Sequence, residues 1–321
     1  MKNKAVLWTV LFLASSCWAA WVYGGKWGSS GLGDGQFDQP HGIAIASNGN
    51  VYVADQYNNR IQYFTAAGSY LGKWGSYGTG DGQFNHPHGV DVASNGNVYV
   101  TDWMNNRIQY FTSAGSFLGK WGASGSGDGQ FNQPMGVTLG PNGYVYIADT
   151  GNNRVQYFTA AGSFLGKWGS AGAAAGQFDG PTDLAFNAAG SFIYVTDYSN
   201  DRIEYFNAAG TYAGAFGSPG SGNGTFDKPA GIAVAPTGFI FVVDMYNHRV
   251  QYFNAAAAYR GQFGEPGTGD GEFEYPCGAE MTAAGWRIYI ADSDNDRVQY
   301  FDCDNPAVEP SSLGRVKAVY R

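Results

Sequence analysis

Charge is scarce in this chain: Asp, Glu, Lys and Arg make up 14% of its 321 residues, fewer than the 16% that are aromatic. Such a composition is wrong for a coiled coil or a disordered charged segment. Basic residues are the rarer sign, 18 against 26 acids, for a formal charge of −8. A net acidic surface repels phosphate backbones and argues against nucleic acid as a partner. Cysteine is nearly absent, with only Cys17, Cys277 and Cys303. Three dispersed thiols cannot build a zinc-finger or RING framework, which needs clustered pairs. Long apolar runs are missing too. The one run, Ala5 to Ala14, is too short to span a bilayer, so no transmembrane segment is expected. With Lys2 and Lys4 before it and Cys17-Trp18-Ala19 after it, residues 1–19 read as a signal peptide cleaved after Ala19 or Ala20. Lipidation of Cys17 is the alternative, although Ala14 stands where such sites prefer a larger aliphatic residue. Cleavage removes Lys2 and Lys4 and takes the formal charge to −10. The expected location is secreted, periplasmic or cell-surface.

What the chain has is glycine, 49 residues of it, and repetition. A phrase of the Val-Ala-Asp kind ends at Asp55, Asp102, Asp149, Asp197, Asp244 and Asp292. One copy runs Gly82-Gln83-Phe84-Asn85-His86-Pro87-His88-Gly89, then Val98-Tyr99-Val100-Thr101-Asp102, then Asn105-Asn106-Arg107-Ile108-Gln109-Tyr110-Phe111, and ends Phe117-Leu118-Gly119-Lys120-Trp121-Gly122. Each copy holds four short runs of β-branched and aromatic residues punctuated by Gly and Asn, including an Asn95-Gly96 hairpin signal. Four antiparallel strands repeated six times predict an all-β fold, a six-bladed β-propeller.

The phrases Phe-x-x-Pro-x-Gly, Val-Tyr-Val-Ala-Asp and Asn-x-Arg-(Ile/Val)-Gln-x-Phe resemble the NHL repeat over about residues 21–302. Repeat six stops after its third strand at Tyr300-Phe301, and its missing phrase stands at the other end of the chain as Tyr23-Gly24-Gly25-Lys26-Trp27-Gly28. The N-terminal segment is therefore expected to supply the outer strand of the last blade and close the ring. Leu313-Gly314-Arg315-Val316 is a rival for that edge, too far from Phe301 to be preferred. The organisation expected is signal peptide 1–19, propeller 20–303 and a C-terminal tail 304–321.

Features present in all repeats are assigned to the blade. The Asp…Asn-x-Arg set, as in Asp55, Asn58 and Arg60, is expected to bond loop backbone and pair carboxylates rather than form an anion-binding ring of arginines. The lysines at Lys26, Lys73, Lys120 and Lys167 read as protection of outer strand edges. The Gly-Asp-Gly phrases at Asp34, Asp81, Asp128 and Asp270 read as turn chemistry, because no strand-to-helix context follows them. His86 and His248 look placed by chance.

Positions where the repeats differ carry the functional signal. The residue between Pro and Gly is His41, His88, Met135, Thr182, Ala230 and Cys277 in turn, and it is expected to ring the mouth of the central channel. Ring closure sets Cys277, His41 and His88 on consecutive blades, a competent zinc or copper ligand set, with Asp91 and Glu280 near enough to add carboxylates. Asp183 replaces a Gly found in the other copies. Within the resembled family, the peptidylamidoglycolate lyase propeller is similar in placing metal-binding histidines after such prolines, there from alternating blades. Here His41 and His88 are adjacent. The second variable set follows the repeated Asp and includes Tyr57, Trp103, Met104, Tyr198 and Tyr246. These loops are expected to open on the channel-mouth face, where aromatic side chains favour a ligand. Cys303 is expected on the opposite face from Cys277, too far for a disulfide.

The resulting expectation is an extracytoplasmic binding or scaffold module holding a protein, peptide or glycan on that face, with no cofactor unless zinc or copper is bound. Extracellular propellers of the resembled family are similar to sensor and scaffold domains. A metal-dependent lyase or hydrolase at the channel mouth is the alternative.

Overall fold

The computed structural model describes residues 20–304, so the expected signal peptide and all but the first residue of the tail lie outside the described residues. Within them, 24 strands form six four-stranded antiparallel sheets. Blade 1 shows the pattern: β2 (Pro40–Ile45) is innermost, followed by β3 (Val51–Asp55), β4 (Arg60–Phe64) and the outer β5 (Tyr70–Trp74). Inner strands β6 (Pro87–Val92), β10 (Pro134–Leu139), β14 (Pro181–Phe186), β18 (Pro229–Val234) and β22 (Pro276–Met281) open the other five blades. No helix among the described residues is long and apolar enough to cross a membrane.

Sequence dictates these elements directly. The second strand of each blade is apolar at successive positions, as in Val51-Tyr52-Val53-Ala54, because both of its faces pack against neighbouring blades and none of those residues is exposed. Six hydrophobic clusters result, one per blade interface. Between blades 1 and 2, Tyr52, Ala54 and Ile61 meet Phe84, Val98, Val100 and Phe111. Outer-strand tryptophans seal the rim of the same interfaces. Trp74 of blade 1 lies against Gly115 of blade 2, where an added Cβ would stand 2.6 Å from the indole, and Gly115 has a φ of +84°. Where Phe216 replaces the tryptophan in blade 4, the matching turn of blade 5 carries Ala257 instead of glycine.

Blade 6 is composite. Its strands β22, β23 (Arg287–Asp292) and β24 (Arg297–Cys303) are completed by β1 (Trp21–Trp27), which pairs antiparallel with β24 from Trp21 opposite Cys303 to Trp27 opposite Val298. This is the N-terminal closure expected from the sequence. It covers the edge for which the tail phrase was a rival; that phrase lies outside the described residues. Trp27 packs on Phe64 of blade 1 and on Tyr289 and Tyr300 of blade 6, locking the first blade to the last.

In blade 1 the register of β2 against β3 shifts between Pro40 and Ile43, a bulge that five other inner strands share. The bulge turns the residue after proline toward the axis. The following glycine is there for space: a Cβ on Gly42 would lie 2.5 Å from the His88 carbonyl oxygen, and on Gly278 even closer to that of His41. Only blade 4 breaks this inner ring, with Asp183.

Candidate functional site

The Asp and Arg repeated in every blade are consumed by the fold. In blade 1, Arg60 Nε donates to Asp55 Oδ2 at 2.6 Å, while its terminal nitrogens donate to the carbonyls of Leu32, Gly33 and Gln36 in the incoming loop. The Asp38 amide donates to Asp55 Oδ1, and Asn58 and Gln62 donate to the same carboxylate. This buried staple ties each incoming loop to its blade. No nitrogen of Arg60 is left over for an exogenous anion.

The four outer-strand lysines do more than guard edges. Each pairs with the aspartate of a Gly-Asp-Gly loop in its own blade: Lys73 with Asp34 at 2.8 Å, Lys120 with Asp81 and Lys167 with Asp128 at 2.6 Å, and Lys26 with Asp270 at 2.7 Å. The signal was in the sequence, because blades 4 and 5 lose both partners together, as Ala175 with Ala215 and Asn223 with Gln262. His248 is not placed by chance either. It fills the left-handed turn position held elsewhere by Asn or Asp, and its Nδ1 accepts the Tyr275 amide of the next blade at 3.2 Å, as Asn59 Oδ1 accepts that of His86.

Six inner strands enclose a channel with a cavity of 560 Å³. All six residues following the prolines, His41, His88, Met135, Thr182, Ala230 and Cys277, line it, as do Thr150, Tyr198 and Met245 from the loops after the repeated aspartates. Of the five loop residues expected on this face, Tyr198 lines the cavity, and Tyr57, Trp103, Met104 and Tyr246 are not among its lining residues. His41 and His88 stand side by side with ring centroids 4.4 Å apart. Desolvation pushes His41 down to about 4 and His88 well below its ordinary value, with the neighbouring imidazoles His86 and His41 adding to each effect, so both rings are neutral at pH 7.

From this pair an aromatic path runs outward across blades 1 and 2. His88 lies 6.3 Å from Trp103, Trp103 lies 6.1 Å from His86, and His86 meets Tyr57 edge-on at 4.7 Å. His86 is thus a site residue that the sequence did not single out. Trp103 is half-buried, whereas Tyr57, Met104 and Tyr246 are exposed. Three buried polar atoms along this path, His41 Nδ1, His86 Nδ1 and Trp103 Nε1, have no hydrogen-bond partner.

Across the mouth, Tyr198 is half-buried and lines the same cavity as Cys277. Desolvation and a hydrogen bond to Tyr246 push its hydroxyl above its ordinary value. Cys277 is a free thiol whose Sγ donates to the Tyr275 carbonyl oxygen at 3.6 Å, and burial pushes it up to about 12. A thiol held in that form is a weak metal ligand. Among the described residues no group of three or more His, Cys, Asp or Glu converges at a spacing that could hold a metal ion.

A closed ring of six four-stranded blades around an open channel defines a six-bladed β-propeller. Four of the blades match the NHL repeat, at residues 37–64, 84–111, 131–158 and 226–253. The chain is an NHL-repeat propeller. Over 47 residues it is 43% identical to a B-box type zinc finger protein, ncl-1, of Caenorhabditis elegans, a match covering 15% of this chain and 6% of that protein. Solved structures share the fold at low identity. A protein of unknown function from Bacteroides thetaiotaomicron superposes with a TM-score of 0.68 at 17% identity, over 88% of this chain and 76% of that one. A gluconolactonase from Xanthomonas campestris gives 0.65 at 13%, over 88% and 98%. A virginiamycin B lyase from Staphylococcus aureus gives 0.58 at 17%, over 82% and 94%.

Proposed function

We propose that this propeller is an extracytoplasmic binding module that receives a protein, peptide or glycan at the channel mouth. The observation that carries this reading is the division of polar groups. The Asp–Arg staple of the blades is satisfied within the fold. Of the buried side-chain atoms left without a partner, those of Trp27, Trp74, Trp121, Trp168, Asn58 and Glu204 are scattered through the blades, whereas those of His41, His86 and Trp103 cluster along one path into the channel. Buried polar groups without partners are few in folded chains, and a ligand at the channel mouth would supply the partners of these three. The exposed rings of Tyr57 and Tyr246 add amphipathic contact area at the rim.

The test is retention of residues 20–321 on an array of defined peptides and glycans. Tyr57→Ala/Trp103→Ala is expected to lose whatever the parent protein retains. Undiminished retention by that variant would place the ligand elsewhere.

A metal-dependent lyase or hydrolase is the second reading, supported by the two neutral imidazoles of His41 and His88 standing 4.4 Å apart. It requires about one equivalent of zinc or copper in protein purified without chelators, lost in His41→Ala/His88→Ala.

A further inference from the structure

Below the imidazoles the channel is acidic. The fifth residue of the inner strand is Ala44, Asp91, Thr138, Ala185, Ala233 and Glu280 in turn, and the third is glycine except for Asp183. Blades 2, 4 and 6 therefore each place one carboxyl in the channel and the three between them place none. No Lys or Arg lines the channel to balance them, and His41 and His88 are neutral.

Two of the three carboxyls are partly used. Asp91 Oδ2 accepts the Leu139 amide at 2.7 Å and its Oδ1 the Val92 amide, while Asp183 Oδ2 accepts the Ile232 amide at 3.0 Å. Glu280 is different: it is half-buried with its open side on the channel and has no hydrogen-bond partner among the described residues. At the mouth of the same channel, His41 Nδ1 is buried and equally unpartnered. Desolvation pushes Asp91 up to about 6 and Asp183 to about 7; Glu280 is raised well above its ordinary value by desolvation and then by the Asp91 and Asp183 charges. The three therefore share one electrostatic environment. The walls between them and the mouth are apolar, with Ile43, Val90 and Leu184 among the lining residues. From the second to the fifth residue of a strand is about 10 Å, the reach of an extended aliphatic chain.

We propose that the channel seats an ammonium or guanidinium group on an aliphatic stem, the cation donating hydrogen bonds to Glu280, Asp91 and Asp183 and the stem lying against the apolar wall. The ion fits because a fan of N–H donors can serve carboxylates that, among the described residues, form no group able to hold a metal ion. The seat rests on the channel mouth being the ligand's entrance. The same chemistry is carried by a free linear amine and by a Lys or Arg side chain of a peptide. Entry of a cation would favour loss of protons from carboxyls that are raised in the empty channel, so binding would tighten as pH rises.

The experiment is calorimetric titration of residues 20–321 with cadaverine, agmatine, acetyl-lysine-methylamide, the neutral 1-pentanol and calcium chloride. Cations are expected to bind and pentanol not to. Affinity should be at least about tenfold higher near pH 8 than near pH 5.5, with protons released on binding, as read from two buffers of different ionisation enthalpy. Glu280→Gln, nearly isosteric with the protonated acid, should keep its Tm and weaken cation binding at least about tenfold; Asp91→Asn serves as the second variant. Preference for the free diamine or for the blocked lysine tells a free ligand from a peptide side chain. Absence of cation binding, binding unaltered in both variants, or calcium binding that excludes the amines would overturn the seat. If Glu280→Gln instead keeps array retention that Tyr57→Ala/Trp103→Ala loses, the mouth site stands and only the cation seat fails.

Discussion

At the residue scale, the departures from the repeat are the most informative, and Glu204 is the sharpest. Five blades use Gln at this place to donate both to the incoming loop and to the repeated Asp, as Gln62 does to Gln36 O and Asp55 Oδ2. Glu204 has no such donor when ionised. It accepts from Arg202 and from the Gly176 amide, its Oε2 is buried without a partner, and desolvation raises it to about 7. An acid whose folded pKa lies above its unfolded one gives stability that is full below the unfolded value, near pH 4.5, and lost as pH rises through 7. Glu204→Gln restores the donor. It is expected to stabilise the protein by about 1–3 kcal/mol near pH 8 and much less near pH 5, which thermal melts at the two pH values check. The opposite case is the staple itself. Asp102 is fully buried against Arg107 Nε at 2.7 Å, so Asp102→Ala strands a guanidinium and should cost about 3–5 kcal/mol in denaturant unfolding.

At the element scale, strand β1 is the critical piece. It supplies the fourth strand of blade 6, and its Trp27 bridges to blade 1. Without it, β24 becomes an open edge and the interface between the last and first blades loses its seal. Deletion of residues 20–28 is expected to lower the Tm steeply and promote self-association, as read by calorimetry and light scattering. A variant of unchanged Tm would mean that the ring does not depend on the strand. The strands, their order in each blade and this closure were legible because β-branched alternation, Asn-Gly turns and a phrase missing at one end and present at the other are local facts of sequence. The variable ring after the prolines was legible for the same reason: one blade template predicts where every copy points.

At the scale of the whole molecule, what escaped the sequence is what depends on contact between blades. His86 sits in a loop by sequence, yet the ring brings it between Tyr57 and Trp103. The three channel carboxyls come from separate repeats, and two sit at one register position while the third sits at another. Each follows from assembly of the ring around one axis. That assembly also makes the channel the place where unlike residues from every blade meet, which is why a repetitive chain can carry a single asymmetric site.

The most direct measurement of that claim is to plug the channel. Ala230 lines its mouth and is half-buried, so Ala230→Trp fills the opening while leaving the rim aromatics Tyr57 and Tyr246 in place. The predicted result is loss of array retention at unchanged Tm. Full retention with the channel plugged would contradict a ligand that enters it.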